Sequence, residues 1–191
     1  MYHLGSNFLL YVGNAYPHKN LEKLLDVFLL LYEKRPDVKL ILVGKSDYFY
    51  ERLKQYAKSL NLWQKENLNS PVVFPGYVPD SQLEVLYQEA KVYIFPSLYE
   101  GFGLPPLEAM AKGCPVLSSD RACLPEVLGT AAIYFNPQDK SDFLAKINLV
   151  INDNELREQM KEKGIEQSKL YSWWECANKT FNIYKEVLFK K

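Results

Sequence analysis

VYIFPSLYEGFGLPPLEAMAKGCPVLSS (92–119) is the stretch that decides how this chain folds. It opens on a β-branched and aromatic run, VYIFPS (92–97), turns at Gly101 and Gly103, starts a helix at Pro105 or Pro106, and returns to an apolar run, CPVLSS (114–119). Proline suits a first helical turn because its missing N–H would have no partner there, and glycine permits the backbone angles of a tight entry. Strand, helix and strand in so short a span make a βαβ unit, and such units join parallel strands.

The alternation continues in both directions. FLLYVGN (8–14), VKLILVGK (38–45), VVFPGYV (72–78) and AAIYFNP (131–137) read as further strands, the third broken by Pro75-Gly76. Between them, NLEKLLDVFLLLYEKR (20–35) places Leu21, Leu24, Leu25, Phe28, Leu31 and Tyr32 at helical spacing behind Asn20 as N-cap. Further helices are expected over roughly 48–60, in SQLEVLYQEA behind a capping Asp80, and over about 139–151, 154–168 and 172–189, the last capped by Ser172. The expected class is α/β: a single Rossmann-like, doubly wound parallel sheet of about six strands with a helical C-terminal tail. The 191 residues suit one domain, and no internal repeat divides them.

Composition narrows the partners. Twenty-three basic residues balance 23 acidic ones, so no global field attracts a polyanion, and nucleic acid is not expected. Cys114, Cys123 and Cys176 have neither metal spacing nor an even count, which suits a reducing, cytoplasmic setting. No signal-peptide pattern and no long apolar run appears, so no transmembrane segment is expected. The 14 tyrosines and the Trp173-Trp174 pair leave peripheral membrane association open.

In doubly wound sheets ligands bind beyond the carboxyl ends of the strands. The loops 13–20, 44–48, 75–80, 97–106 and 118–126 all leave strands at that end and can line one crevice. The helix start after Gly103 offers unpaired N–H groups to an anion. Glu108, expected in its first turn, could accept two hydrogen bonds from a vicinal diol such as a ribose. Glu100 could accept from sugar hydroxyls or oppose positive charge developing at a sugar carbon. From the residues alone a plainer reading stands beside this one, in which the glycines only turn the chain and Glu108 only complements a helix dipole.

EGFGLPPLEAMAKGCPV resembles the signature of the retaining glycosyltransferases of family 4, which have the GT-B fold: two glutamates with seven residues between them, then Ala-x-Ala-x-Gly-x-Pro-Val. YVGNAYPHKNLEKLLDVF, LILVGK, VVFPGYVPDSQLEVLYQEA, VYIFPSLYEGFG, PEVLGTAAIYFNP and YSWWECANKTFNIYKEVL resemble successive blocks of that family in order, covering about 8–188. The resemblance implies the C-terminal, donor-binding half of such an enzyme, with the acceptor-binding N-terminal half absent from the chain and supplied by another domain or subunit. It implies transfer of a hexose from a nucleotide diphosphate sugar. Glu100 would contact the donor sugar, and the backbone of Gly101, Phe102, Gly103 and Leu104 the sugar and phosphates. Glu108 would hold the ribose, Lys19 would neutralise the departing diphosphate, and Gly76, Tyr77 and Val78 would lie near the base.

Gly13, His18 and Lys45 complete the expected substrate-binding set. His18 stands where the family usually has an arginine, and a mostly neutral imidazole lacks the guanidinium fork. Lys45 either supplies a second charge or is merely solvated. Pro125-Glu126 matches a block near the donor crevice, though Glu126 equally suits a helix start, and Cys114 and Cys123 read as structural. The HKN and PGYVPD blocks look most like mannosyltransferases using GDP-mannose, without separating GDP from UDP. No Asp-x-Asp cluster occurs, so neither metal nor cofactor is expected. The final helix resembles the one that crosses the interdomain crevice in whole enzymes. A different class stays open, a non-catalytic nucleotide-binding or partner-binding module on the same half-fold, as does a nucleotide-sugar epimerase.

Overall fold

A computed structural model describes residues 7–65, 67 and 69–189. Strands covered on both faces need nearly continuous apolar runs, and β1 (Phe8–Val12, FLLYV) and β2 (Lys39–Val43, KLILV) supply them. With β3 (Val72–Gly76), β4 (Val92–Phe95), β5 (Val116–Ser119) and β6 (Ala132–Phe135) they form one six-stranded parallel sheet, ordered β3-β2-β1-β4-β5-β6. The order runs outward in both directions from the β1/β4 pair. Right-handed crossovers leaving that pair in opposite directions lay their helices on opposite faces. Accordingly α1 (Leu21–Tyr32) packs with α2 (Tyr48–Ser59) and with α6 (Lys140–Asn152), while α4 (Leu104–Ala111) packs with α7 (Asn154–Lys169). The expected doubly wound α/β architecture is the one observed.

The remaining helices are α3 (Asp80–Glu89), the short α5 (Leu124–Leu128) and α8 (Trp173–Phe189). The apolar stripe of α1 goes where its spacing sends it: Leu21, Leu24, Leu25, Phe28 and Leu31 are all buried. No helix among the described residues is long and apolar enough to cross a membrane.

Local details differ from expectation. Every strand but β5 stops short of its sequence run, because the residues beyond leave the ladder to build the loops at the carboxyl ends; β5 ends at Ser119 as read and begins two residues late, at Val116. Pro75 does not break β3: the strand runs through to Gly76, and the register shift opposite Ile41 and Val43 absorbs the irregularity. An edge strand tolerates a residue with no N–H to donate. Asp80 is the first residue of α3 rather than its cap, which falls on Pro79. Ser172 does cap α8, its hydroxyl accepting from Glu175 N at 3.4 Å.

The β1 and β2 ends are clamped by Tyr50 of α2, whose hydroxyl lies 2.9 Å from both Gly13 O and Val43 O. Gly44 sits inside this clamp, where an added Cβ would collide with Gly13 O and the Tyr50 hydroxyl, whereas Gly101 faces open space. Gly44→Ala should therefore cost about 2–3 kcal/mol in urea unfolding, and Gly101→Ala should stay within about 0.5 kcal/mol. Burial also pushes the Cys114 thiol up to about 12, so it keeps its proton at pH 8 while Cys176 lies exposed on α8. Maleimide at that pH should label Cys176 rapidly and reach Cys114 only after denaturation, since the thiolate is the reacting form.

Candidate functional site

The β1/β4 switch point opens a gap at the carboxyl ends of the two strands, and the loops that follow them are sewn together across it. After β1 the chain makes one 3-10 turn, Pro17–Lys19, with Lys19 N donating to Tyr16 O (2.8 Å) and Asn20 N to Pro17 O (3.1 Å). Leu98 N, after β4, donates to His18 O at 2.8 Å. Asn20 is not the side-chain cap of α1 that its position suggested: it is left-handed, at φ 59°, and caps nothing. Its amide donates instead to Pro96 O (3.2 Å) and Pro137 O (3.3 Å), pinning the start of α1 to the chain leaving β4 and β6. A left-handed backbone is one that asparagine adopts more readily than most residues.

These ties set Lys19 against Glu100. The Lys19 Nζ lies 2.6 Å from Glu100 Oε1, with the two side chains 11% and 13% exposed. The ammonium also stands 5.3 Å from the centre of the Phe95 ring, within cation–π range. Glu100 is held from behind, since Cys123 Sγ donates to Glu100 O (3.3 Å) and to Phe102 O (3.4 Å). Tyr11 lies beneath the crevice: burial, then the nearby Tyr50 and Glu100, raise its hydroxyl well above the ordinary range. It stays a neutral donor and bonds Asn14 O at 2.7 Å.

The glycine turn leads into α4 through Gly103, which adopts φ 101° at the N-cap position, and no side chain caps the helix. Pro105 and Pro106 both fall in the first turn, which removes two N–H donors from the helix end. Any anion here depends on the loop amides of Gly101, Phe102 and Gly103 together with Leu104. Glu108 is not in the first turn as expected: the helix already begins at Leu104, so Glu108 is its fifth residue, exposed on the second turn. Beside it Tyr87 presents a buried hydroxyl with no partner among the described residues, its pKa raised by burial and then by Glu108 and Cys114.

Four of the other anticipated residues gather at a cavity that neither Lys19 nor Glu100 lines. Gly13, Lys45, Tyr77 and Val78 line a cavity of about 430 Å³ at the carboxyl ends of β1, β2 and β3, together with Asn14, Gly44, Asp47 and Asp80. Gly76 is not among its lining residues; its carbonyl accepts from Gly44 N, which does line it, at 3.1 Å. Lys45 and His18 are both exposed, the imidazole packing edge-on against Tyr16 at 6.1 Å. Glu108 lines neither this cavity nor a smaller one of about 110 Å³ beside Tyr16 and Phe49. Among the described residues no three His, Cys, Asp or Glu side chains gather as a metal site.

Of the residues that organise the crevice, sequence reasoning missed Tyr11 and Tyr50, and read Asn20 as a cap and Cys123 as structural without placing either against the loops. It also missed Tyr171, just before α8, whose ring meets that of Phe102 edge-on at 5.4 Å and whose hydroxyl donates to Val127 O at 3.0 Å. Of these only Asn20 carried a signal, as an asparagine at an element boundary. α8 itself buries none of its residues, and Trp173, Trp174, Leu188 and Phe189 are each at least 70% exposed.

The family model described as Glycosyl transferases group 1 matches residues 3–167. The O-antigen chain mannosyltransferase B of Escherichia coli is 38% identical over 179 residues, which are 93% of this chain and 45% of that protein. The serotype-specific mannosyltransferase WbdA of Escherichia coli is 33% identical over 98% of this chain and 23% of its own length. Among solved structures, the sucrose-phosphate synthase of Thermosynechococcus elongatus superposes with a TM-score of 0.83 at 27% identity, over 97% of this chain and 46% of that one. The chain spans less than half the length of these relatives. With its Rossmann-like sheet matching the C-terminal half of GT-B glycosyltransferases, the chain belongs to the glycosyl transferases group 1 family.

Proposed function

We propose that this chain is the donor-binding domain of a retaining, metal-independent family 4 glycosyltransferase that takes a hexose from a nucleotide diphosphate sugar. The observation that carries the reading is the meeting of Lys19 with Glu100 at the sheet's switch point, 2.6 Å apart and largely buried. Ligands of doubly wound sheets bind at that point. A cation there, flanked by loop amides, suits a diphosphate, and a carboxylate beside it suits sugar hydroxyls.

In this reading Lys19 meets the charge that builds on the leaving diphosphate as the bond to the anomeric carbon breaks, which favours the transition state over the ground state. Glu100 orients the sugar through its hydroxyls, and the N–H groups of Gly101, Phe102, Gly103 and Leu104 receive sugar and phosphate oxygens. Glu108, exposed on α4, takes the ribose diol. The base enters the cavity lined by Gly13, Lys45, Tyr77 and Val78, with Gly76 bonded to Gly44 of its lining, and His18 rims the phosphate end. Mannose carried on GDP is the preferred donor, supported by the mannosyltransferase names of the similar proteins from Escherichia coli. A second domain or subunit holds the acceptor, and a nucleotide-sugar donor sets the reaction in the cytoplasm.

One feature favours a second reading, a non-catalytic nucleotide-binding or partner-binding module: His18 stands where a second strong cation would complete a diphosphate clamp.

Calorimetric titration of the chain with GDP, UDP and ADP tests the site. GDP should bind, and Lys19→Ala, which leaves the Glu100 carboxylate unpaired beside the diphosphate, and Glu108→Ala, which removes a charge-assisted contact, should each weaken it by about tenfold or more. Unchanged affinity in both variants rejects the site, and binding without transfer once an acceptor domain is supplied supports the module.

A further inference from the structure

Lys19 and Glu100 are each other's partner in this structure, and that pairing has a consequence for the donor site proposed above, on which this inference rests. We infer that Glu100 occupies the Lys19 ammonium until a sugar hydroxyl takes up the carboxylate, so that the crevice favours a sugar-bearing nucleoside diphosphate over the bare nucleoside diphosphate.

Three observations carry this. The pair is unlike the other ion pairs among the described residues: each of those has at least one side chain 41% exposed or more, against 11% and 13% here. Charges so poorly hydrated hold their partner strongly, and neither is released without a substitute. Both backbones are also anchored. Lys19 N bonds Tyr16 O, the His18 carbonyl accepts from Leu98 N, and Cys123 Sγ donates to Glu100 O. Opening the pair is therefore a side-chain rotation and leaves the loops in place. Finally, Glu100 is one residue from the glycine turn that receives phosphate in the donor reading, so its carboxylate opposes an arriving phosphate while it stays on the lysine.

A bare diphosphate brings one more anion to a lysine already neutralised. A sugar-bearing diphosphate brings hydroxyls that hydrogen-bond to Glu100 and replace the ammonium there, leaving Lys19 free for phosphate. After transfer the hydroxyls leave with the sugar, Glu100 returns to Lys19, and the nucleoside diphosphate loses its cation. Glu100 is thus a specificity-determining residue that ties cation availability to sugar occupancy and speeds product release.

The test is calorimetric titration of GDP and GDP-mannose into the full chain and into Glu100→Gln, with UDP and UDP-glucose as a parallel pair. Glu100→Gln should bind GDP about tenfold tighter than the unaltered chain does while binding GDP-mannose no better, so the ratio of the two affinities shifts by tenfold or more. Since the readout is a ratio within one protein, a general loss of folding moves both arms together. Glu100→Asp, whose carboxylate is withdrawn by one methylene, should shift the ratio in the same direction and serves if Glu100→Gln does not fold. GDP affinity unchanged or weakened in these variants, while Lys19→Ala abolishes GDP binding, overturns the inference and leaves the donor site standing. Failure of every nucleotide to bind the unaltered chain overturns both.

Discussion

The ammonium of Lys19 has lost most of its water and keeps one carboxylate, that of Glu100, 2.6 Å away. The two residues are 81 positions apart in the chain, on loops that leave β1 and β4. They meet because the sheet reverses its strand order between those two strands, leaving a gap that no crossover helix fills. A buried charge without its partner is costly, so sheet order, the loops and the pair are mutually dependent. An altered register at β1/β4 would strand an ammonium on one side and a carboxylate on the other.

Around the pair, several modest hydrogen bonds fix loops that would otherwise wander. Asn20 holds the exits of β4 and β6, Leu98 N holds the β1 loop through His18 O, and the Tyr50 hydroxyl clamps the ends of β1 and β2. Each contributes about 1 kcal/mol in general experience, but together they turn four loops into one wall. A site preorganised this way spends little of a ligand's binding energy on ordering the protein. α8 contrasts with this: it buries none of its residues, while Tyr171 just before it meets Phe102 edge-on.

Much of the fold was legible because parallel strands write themselves as short apolar runs and α1 writes itself as a periodic stripe. All six strands were visible in FLLYV, KLILV, VVFPG, VYIF, VLSS and AIYF, though all but β5 were read too long at the loop end. Pattern does not reveal where a ladder stops, because that depends on the neighbouring strand. The caps fared worse. Asn20 and Asp80 have the right chemistry for N-caps, yet tertiary bonds claimed Asn20 and the Pro79 turn displaced Asp80 by one position. The site was legible as a set of loops and two glutamates, but not as a contact, since nothing in HKN or EGFG announces that the lysine and the first glutamate touch. Glu108 was misplaced for a local reason, a helix that begins at Leu104, ahead of both prolines.

The central claim is that the crevice at Lys19 and Glu100 receives the diphosphate of a sugar donor. A crystal structure of this chain soaked with GDP-mannose addresses it most directly. Phosphate oxygens are expected on Lys19 Nζ and on the amides of Gly101 to Leu104, sugar hydroxyls on Glu100, and the lysine and glutamate drawn beyond ion-pairing distance. Diphosphate density lodged elsewhere on the chain, with the Lys19–Glu100 contact intact, would contradict it.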